Sequence, residues 1–130
     1  MGFLGRYAEQ CYALLHIVAG FLFACHGAQK LFGVLGGTQM TSNPLMLTAG
    51  IIELVGGILI ALGLAASVAA FIASGEMAVA YFKVHFPQNF WPVQNGGEVV
   101  ALYSFLFLYI AARGSGIWSL DRLFRKAPAR

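Results

Sequence analysis

Four long apolar runs dominate the chain, and segments rich in turn-forming residues separate them. A helix of about 20 apolar residues spans the hydrocarbon core of a bilayer, so runs of this length predict transmembrane helices. The segment 33–44 combines Gly, Thr and Ser with Asn-Pro, and the segment 83–97 holds two prolines, two asparagines and a glycine pair, which indicates loops. The pattern predicts an all-α membrane four-helix bundle with spans over residues 8–32, 45–64, 65–82 and 98–113.

The tail that follows the fourth run, residues 114–130, has a different pattern. Its large apolar side chains alternate with charged ones: Trp118, Leu120, Leu123 and Phe124. Ser119 can cap a helix whose first turn holds Asp121, where the helix dipole favours an acid. This arrangement is typical of an amphipathic helix at a membrane interface. We therefore expect one domain over residues 1–130 that ends in a short interfacial helix.

The composition also indicates a membrane protein. Of the 130 residues, 59% are hydrophobic and 10% are charged, whereas a soluble domain carries about 25% charged residues. The net charge of +3 does not indicate nucleic acid, because the basic residues form no stripe along a face. Half of the eight lie within the last nine positions, namely Arg122, Arg125, Lys126 and Arg130. The lipid bilayer is the partner that this composition favours.

The basic tail also predicts an orientation. Lys and Arg concentrate in the cytoplasmic segments of membrane proteins, so the tail is expected in the cytoplasm. Four spans place the N-terminus, with Arg6, on the same side, and the two long loops then face outward. Lys83 opposes this orientation, but it is a single residue against the whole tail.

The two cysteines, Cys11 and Cys25, lie on one predicted helix. They are 14 residues apart, and that length of helix spans about 21 Å, which is too far for a disulfide. The sequence has no CxxC pair, so it carries no redox dithiol of its own. We expect both thiols to be small, inert side chains.

Ionisable residues gather in the outer half of the predicted bundle. A charge at the bilayer centre costs about 2.5–3.5 kcal/mol on insertion scales, so residues placed there are expected to have a role. The order and direction of the spans place five such residues in this half: His26, Lys30, Glu53, Glu76 and Glu98. His85 and Trp91 lie in the adjoining outer loop, whereas the inner half holds only His16.

Helical spacing places most of these residues on packing faces. Small residues let helices approach closely in lipid, so a stripe of them predicts a helix contact. The predicted stripes are His16, Ala19, Phe23, His26 and Lys30 on the first span; Gly50, Glu53, Gly57 and Ala61 on the second; and Ala66, Ala69, Ala73, Glu76 and Ala80 on the third. The carboxylates are therefore expected to point into the bundle. Such stripes fit packing within the chain and dimerisation equally well.

Two interpretations of the ionisable cluster stay open. Glu53 or Glu76 could pair with Lys30 and stabilise one arrangement of the helices, or the residues could line an outward-facing polar pocket. His26 with His85 could bind a metal or haem in principle. No HxxxH or CxxC spacing supports that, so no metal site is predicted.

Several short motifs occur in order along the chain: HGAQKLFG at 26–33, ELVGG at 53–57, Glu76-Met77, His85, Trp91, NGGE at 95–98 with Tyr103, and GSGIWSLD at 114–121. Together they resemble the DoxX family over nearly the whole chain. The resemblance implies a small four-helix protein of the bacterial inner membrane, often described as an oxidoreductase and linked to quinones or thiol oxidation. The family's motif positions here are His26, Gln29, Lys30, Glu53, Glu76, His85, Trp91 and Glu98.

Two functional hypotheses follow. In the first, the protein is an oxidoreductase subunit that binds a quinone in the outer pocket. Lys30, His26 and Gln29 would donate to the quinone carbonyls, and Glu53 and Glu76 would transfer protons. With no intrinsic cofactor or dithiol, it would need a redox partner protein. In the second, the protein is a non-enzymatic membrane scaffold, or a binder of lipids or small molecules, whose buried charges are structural.

Overall fold

The computed structural model describes residues 2–125 and shows an all-helical protein in which these residues form no β-strand. Lys126 and Arg130 of the predicted tail lie outside the described residues. A turn of 3-10 helix leads into the first helix, and a π-helical turn, Tyr81–His85, extends the third. The helices are α1 (Ala8–Phe32), α2 (Pro44–Leu62), α3 (Ala66–Ala80), α4 (Pro92–Asn95), α5 (Glu98–Arg113) and α6 (Leu120–Arg125).

Three helical segments are long and apolar enough to cross a membrane: Gly5–Phe32, Pro44–Leu62 and Ala66–His85. They correspond to the first three predicted spans, although the third continues three residues beyond its predicted end. The fourth predicted span coincides with α5, which has 16 residues and is therefore about 24 Å long. That α5 also crosses the bilayer stays a prediction.

Glycine contacts bring α1 and α2 very close together. An ideal Cβ at Gly20 would lie 2.4 Å from the backbone nitrogen of Ala61, and one at Gly57 would lie 2.4 Å from that of Ala24. At Gly27 the nearest backbone atom, on α2, would be 2.2 Å away. No side chain fits at these positions, so the backbones of the two helices touch directly, as small residues allow in lipid.

The predicted faces of α2 and α3 are buried or half-buried along their whole length, whereas that of α1 is not. His16, Ala19 and Phe23 are buried, but His26, farther along the same stripe, is exposed. The reason is that Gly20 and Gly27, on a neighbouring stripe of α1, pack against α2. This contact sets the rotation of α1, and it leaves His26 beside α5 rather than inside the bundle.

Residues of α1, α2, α3 and α5 share one hydrophobic core. The ring of Phe23 on α1 packs against that of Phe107 on α5, with centroids 4.7 Å apart. Tyr103 stacks on Phe107 at 5.3 Å. Alanines of α3 fill the narrow space opposite, so bulky rings on one side meet small side chains on the other.

The start of α1 and the end of α5 lie at the same end of the molecule, which we call the terminal end. Arg113 forms an ion pair with Glu9, and its guanidinium lies 4.4 Å from the ring centroid of Tyr12. The Tyr12 hydroxyl donates to the carbonyl of Gly114 at 2.5 Å. The opposite end, which we call the loop end, carries the 33–43 and 86–97 connections. Which of them faces the cytoplasm stays a prediction.

The segment after α5 folds back onto the turn between α2 and α3. Asp121 accepts a hydrogen bond from the backbone nitrogen of Ala65 at 2.9 Å and a longer one from Ala66 at 3.4 Å. Ser119 accepts from the backbone nitrogen of Arg122 at 3.2 Å, which is the cap that the sequence predicts. Asp121 thus caps α3 across the turn in addition to standing in the first turn of α6.

Candidate functional site: a lysine and two glutamates beside an apolar groove

Lys30 on α1 and Glu53 on α2 form an ion pair across the glycine contact. The lysine Nζ lies 2.8 Å from Oε1 and 2.6 Å from Oε2 of Glu53, so it bonds both carboxylate oxygens. The Glu53 side chain is 2% exposed and that of Lys30 is 24% exposed. Gly50 leaves room for the lysine stem, because an ideal Cβ there would lie 3.2 Å from the Lys30 Cβ. The pair provides the buried carboxylate with its counter-charge.

Glu76 brings a second carboxyl group to this pair from α3. Its side chain lies beside Glu53 and close enough to Lys30 for direct electrostatic interaction. Its Oε2 atom is buried and has no hydrogen-bond partner among residues 2–125. Lys30 thus bonds to Glu53, Glu76 is a second carboxyl group next to that pair, and the unused hydrogen-bonding capacity lies on Glu76. We call these three side chains the charged cluster.

A groove of about 260 Å³ between α2 and α3 reaches Glu76. Thr48 and Lys83 are its other polar residues, and Gly75 also lines it. The remaining walls are apolar: Leu45, Met46, Ala49, Ile52, Ile72, Val79, Ala80 and Val84. Glu53 is not among the lining residues, so Glu76 stands between the groove and the ion pair. The sequence suggested an outward-facing polar pocket, whereas the structure has an apolar groove with one carboxyl group on its wall.

His26 lies beside α5. Its ring meets Tyr103 edge to face, with centroids 6.4 Å apart. Tyr103 in turn lies within electrostatic reach of Glu53.

Gln29 supports the loop that follows α1. Its Nε2 donates to the carbonyl of Leu35 at 3.0 Å. An ideal Cβ at Gly37 would lie 2.5 Å from the Gln29 Cβ, so the loop packs directly on this side chain. One N–H of the Gln29 amide is therefore bonded within the protein.

His85 belongs to a second polar group at the loop end. Its Nδ1 lies 3.0 Å from the carbonyl oxygen of Asn95. Because a carbonyl can only accept, Nδ1 carries the proton, and Nε2 of the neutral ring is an acceptor. Trp91 is 60% exposed, and Glu98 is exposed in the first turn of α5. These residues do not join the charged cluster.

Asn95 organises this loop, a role that sequence reasoning did not assign to it. It is 3% exposed, and its Nδ2 donates to the Asn89 carbonyl at 3.0 Å and to the Tyr81 hydroxyl at 3.2 Å. Its Oδ1 accepts from the backbone nitrogen of Gly97 at 2.7 Å. The Asn-Gly-Gly sequence signals a turn, but it does not show which donors and acceptors that turn brings together.

The charged cluster is thus the part of the predicted site that the structure assembles: Lys30, Glu53 and Glu76. Within residues 2–125, no three His, Cys, Asp or Glu side chains lie together so as to hold a metal ion.

Comparison with known proteins assigns the chain to a family. The family model described as DoxX matches residues 11–86, which is more than half of the chain. The chain belongs to the DoxX family. It is also similar to an uncharacterized protein of Haemophilus influenzae, with 43% identity over 133 aligned positions that cover 97% of this chain and 99% of that protein. No solved structure matches. The DoxX match contains the charged cluster and His85, whereas Trp91 and Glu98 lie beyond it.

Proposed function

We propose that this DoxX membrane protein binds a quinone, or a similar small hydrophobic redox molecule, in the groove between α2 and α3, as the membrane subunit of an oxidoreductase. The observation that supports the proposal is the buried Oε2 of Glu76, which has no hydrogen-bond partner in the described residues and belongs to a residue that lines an apolar groove. A ligand that dissolves in the bilayer suits such walls, and a polar group on it would satisfy this oxygen.

Quinone chemistry suits a carboxyl group at this position. A quinone offers carbonyl acceptors, to which a protonated Glu76 would donate, and a quinol offers hydroxyl donors, which a Glu76 carboxylate would accept. The charged cluster is neutral when one of its two carboxyl groups holds a proton. A net charge is costly inside a membrane, which favours the neutral state with one protonated carboxyl group. Transfer of that proton to a reduced, negatively charged ligand would move the negative charge from the ligand to the cluster and leave the total charge of the complex unchanged. Glu76 would contact the ligand, and Glu53 would be the second carboxyl group of the cluster.

The electrons would come from another protein. Cys11 and Cys25 are both free thiols on the same helix, so α1 carries no disulfide to exchange. We therefore include a redox partner protein in the proposal. We also place the protein in the bacterial inner membrane with its terminal end in the cytoplasm, since Arg6, Arg113 and Arg122 all lie at that end.

A specific observation favours a second candidate function. Lys30 bonds both oxygens of Glu53, and the Gln29 amide donates to the loop, so these groups can be explained as structural. In this alternative the protein is a non-enzymatic membrane scaffold, or a lipid or small-molecule binder, and the ion pair stabilises one arrangement of the helices.

Titration with a short-chain naphthoquinone separates the two functions. The purified protein in nanodiscs would be titrated and binding followed by ligand-induced thermal stabilisation. Glu76→Gln removes the carboxyl group, and Gly75→Leu fills the groove, since an ideal Cβ at Gly75 meets no atom within 4 Å. Gly56→Ala is the control for loss of a helical glycine. An ideal Cβ at Gly56 also meets no atom within 4 Å, and Gly56 does not line the groove.

We expect saturable binding by the wild type and the control, and weaker binding by both groove variants. Absence of saturable binding by the folded wild type, or equal binding by all four proteins, would reject the quinone site and leave the scaffold function.

A further inference from the structure

A basic pocket lies at the terminal end of the molecule, far along α1 and α2 from the charged cluster. It is a cavity of about 270 Å³ where the segment after α5 folds back toward the start of α1. Three arginines line it, one from the end of α5 and two from α6: Arg113, Arg122 and Arg125. Two carboxylates, Glu9 and Asp121, also line it, so the pocket carries one excess positive charge.

Both carboxylates already have partners within the protein. Glu9 pairs with Arg113. Asp121 accepts hydrogen bonds from the Ser115 hydroxyl and from the backbone nitrogen of Ala65. These bonds, that of Ser115 first, hold the pKa of the Asp121 carboxyl below its usual range. Among residues 2–125 neither carboxylate forms a salt bridge with the two α6 arginines, although Arg125 lies near enough to Asp121 to contribute to its lowered pKa.

Arg122 and Arg125 are the cations available to a ligand. They are three residues apart on α6, on neighbouring positions of one helix face, and both are exposed. Neither has a salt-bridge partner among residues 2–125. Two guanidinium groups at this spacing match an anion with several acceptor oxygens, such as a phosphate ester.

The backbone that presents these arginines is held in place. Gly116 adopts a φ of 75°, and an ideal Cβ there would lie 3.0 Å from the ring of Tyr12. The Ser119 hydroxyl donates to the Gly116 carbonyl at 2.9 Å and accepts from the backbone nitrogen of Arg122. The backbone of the pocket is thus fixed by the fold.

An apolar groove adjoins the basic pocket. This second cavity, of about 400 Å³, lies between the end of α2 and α6. Arg122 lines both cavities, so a ligand could reach from the guanidinium group into the groove. The apolar walls of the groove are Ala61, Leu62, Ile117, Trp118, Leu120 and Leu123.

We infer that the C-terminal segment binds an anionic phospholipid, with the phosphate headgroup at Arg122 and Arg125 and an acyl chain along the groove between α2 and α6. The charge of the pocket selects an anion, and the adjoining apolar groove selects a lipid over a soluble phosphate. Trp118 and Leu123, which are 51% and 63% exposed, are the kinds of side chain that lie at the headgroup level. This site is independent of the quinone proposal.

Lipid retention tests the inference. The full-length protein would be reconstituted in phosphatidylcholine bilayers containing phosphatidylglycerol, and the lipids that stay bound would be counted by native mass spectrometry. The variants are Arg122→Gln and Arg125→Gln, whose exposed side chains can be changed without disturbing the packing. Arg6→Gln is the control, because it also removes one positive charge near the terminal end. The Arg6 guanidinium lies over the ring of Tyr7, and Arg6 does not line the pocket.

We expect the wild type and Arg6→Gln to retain phosphatidylglycerol in preference to phosphatidylcholine, and each pocket variant to lose about fivefold in affinity. An equal loss in Arg6→Gln would overturn the inference, since it would reveal only a general surface charge. Absence of headgroup preference in the wild type would also overturn it. Displacement of the lipid by glycerol phosphate at equal concentration would assign the pocket to a soluble phosphate instead.

Discussion

Replacing Lys30 by methionine would remove the positive charge of the cluster and leave its shape nearly unchanged. The stem of Lys30 packs against Gly50, and methionine has a stem of similar length, so the substitution isolates the ammonium group. Glu53 and Glu76 would then face each other without the cation that lies between the helices. Because the Glu53 side chain is 2% exposed, its carboxylate would lose its counter-charge in a place with little access to water.

The structure allows the cost to be ordered among three variants. Removing one partner of a buried ion pair costs about 3–5 kcal/mol, and we expect about 3 kcal/mol for Lys30→Met, because the lysine side of the pair is 24% exposed. Glu53→Gln should cost about 1.5 kcal/mol, because the glutamine oxygen can still accept from Lys30 and Glu76 still supplies a negative charge within electrostatic reach of it. Glu76→Gln leaves the Lys30–Glu53 pair intact and should change stability by less than about 1 kcal/mol.

Equilibrium unfolding in mixed detergent micelles measures these differences in the free energy of unfolding. Adding Glu53→Leu to Lys30→Met should recover part of the loss, since it removes the uncompensated carboxylate. The reasoning would be refuted if Glu76→Gln destabilised the protein as much as Lys30→Met, because Glu76 would then be a structural member of the pair. Such a result would also favour the scaffold function over the quinone site.

Three further predictions concern the contact between α1 and α2, the cap of α3 and the loop that Asn95 organises. Gly57→Val should cost about 3 kcal/mol in the same unfolding assay, because even a Cβ there would lie 2.4 Å from the α1 backbone. The control, Gly56→Ala, should leave the free energy of unfolding unchanged. Equal effects of the two substitutions would contradict the close contact. Asp121→Ala should cost about 1 kcal/mol at neutral pH through loss of the α3 cap. Since the pKa of Asp121 lies below its usual range, the extra stability of the wild type over Asp121→Ala should hold above about pH 4 and disappear as the pH falls further. A stability difference that persists at low pH would exclude the carboxylate as its source. Asn95→Ala should cost about 2 kcal/mol and speed hydrogen exchange in residues 85–97, and unchanged exchange there would show that Asn95 does not hold the loop.

The sequence alone was enough to predict the long helices and most of their buried faces, but the segment 83–97, predicted as a loop, contains the short helix Pro92–Asn95. In the hydrocarbon core of a membrane, backbone N–H and C=O groups must form hydrogen bonds within their own segment, and a long apolar run satisfies them by forming a helix. Along one helix, a spacing of three and four residues places side chains on one face, which predicted that Glu53 is buried with Gly50 and Gly57. The motifs likewise pointed to the DoxX family, which the family model matches.

The tertiary structure decided which of the candidate residues meet. Periodicity gives the face of a residue within its own helix, but the partner of a side chain depends on the rotation and axial register of one helix against the next. Here the glycine contacts between α1 and α2 set that register. They bring Lys30 to Glu53, turn His26 toward α5, and leave Glu76 as the carboxyl group with an unused oxygen beside the groove.

The same distinction explains the C-terminal segment. Its sequence predicted the Ser119 cap and an amphipathic character, because both are properties of a few neighbouring residues. The contact of Asp121 with Ala65 joins positions 56 residues apart, and the basic pocket exists only because the chain folds back at Gly114 and Gly116. Local pattern predicted the helices of this protein, whereas its candidate sites arise from contacts between residues distant in sequence, which only the packing of the whole chain determines.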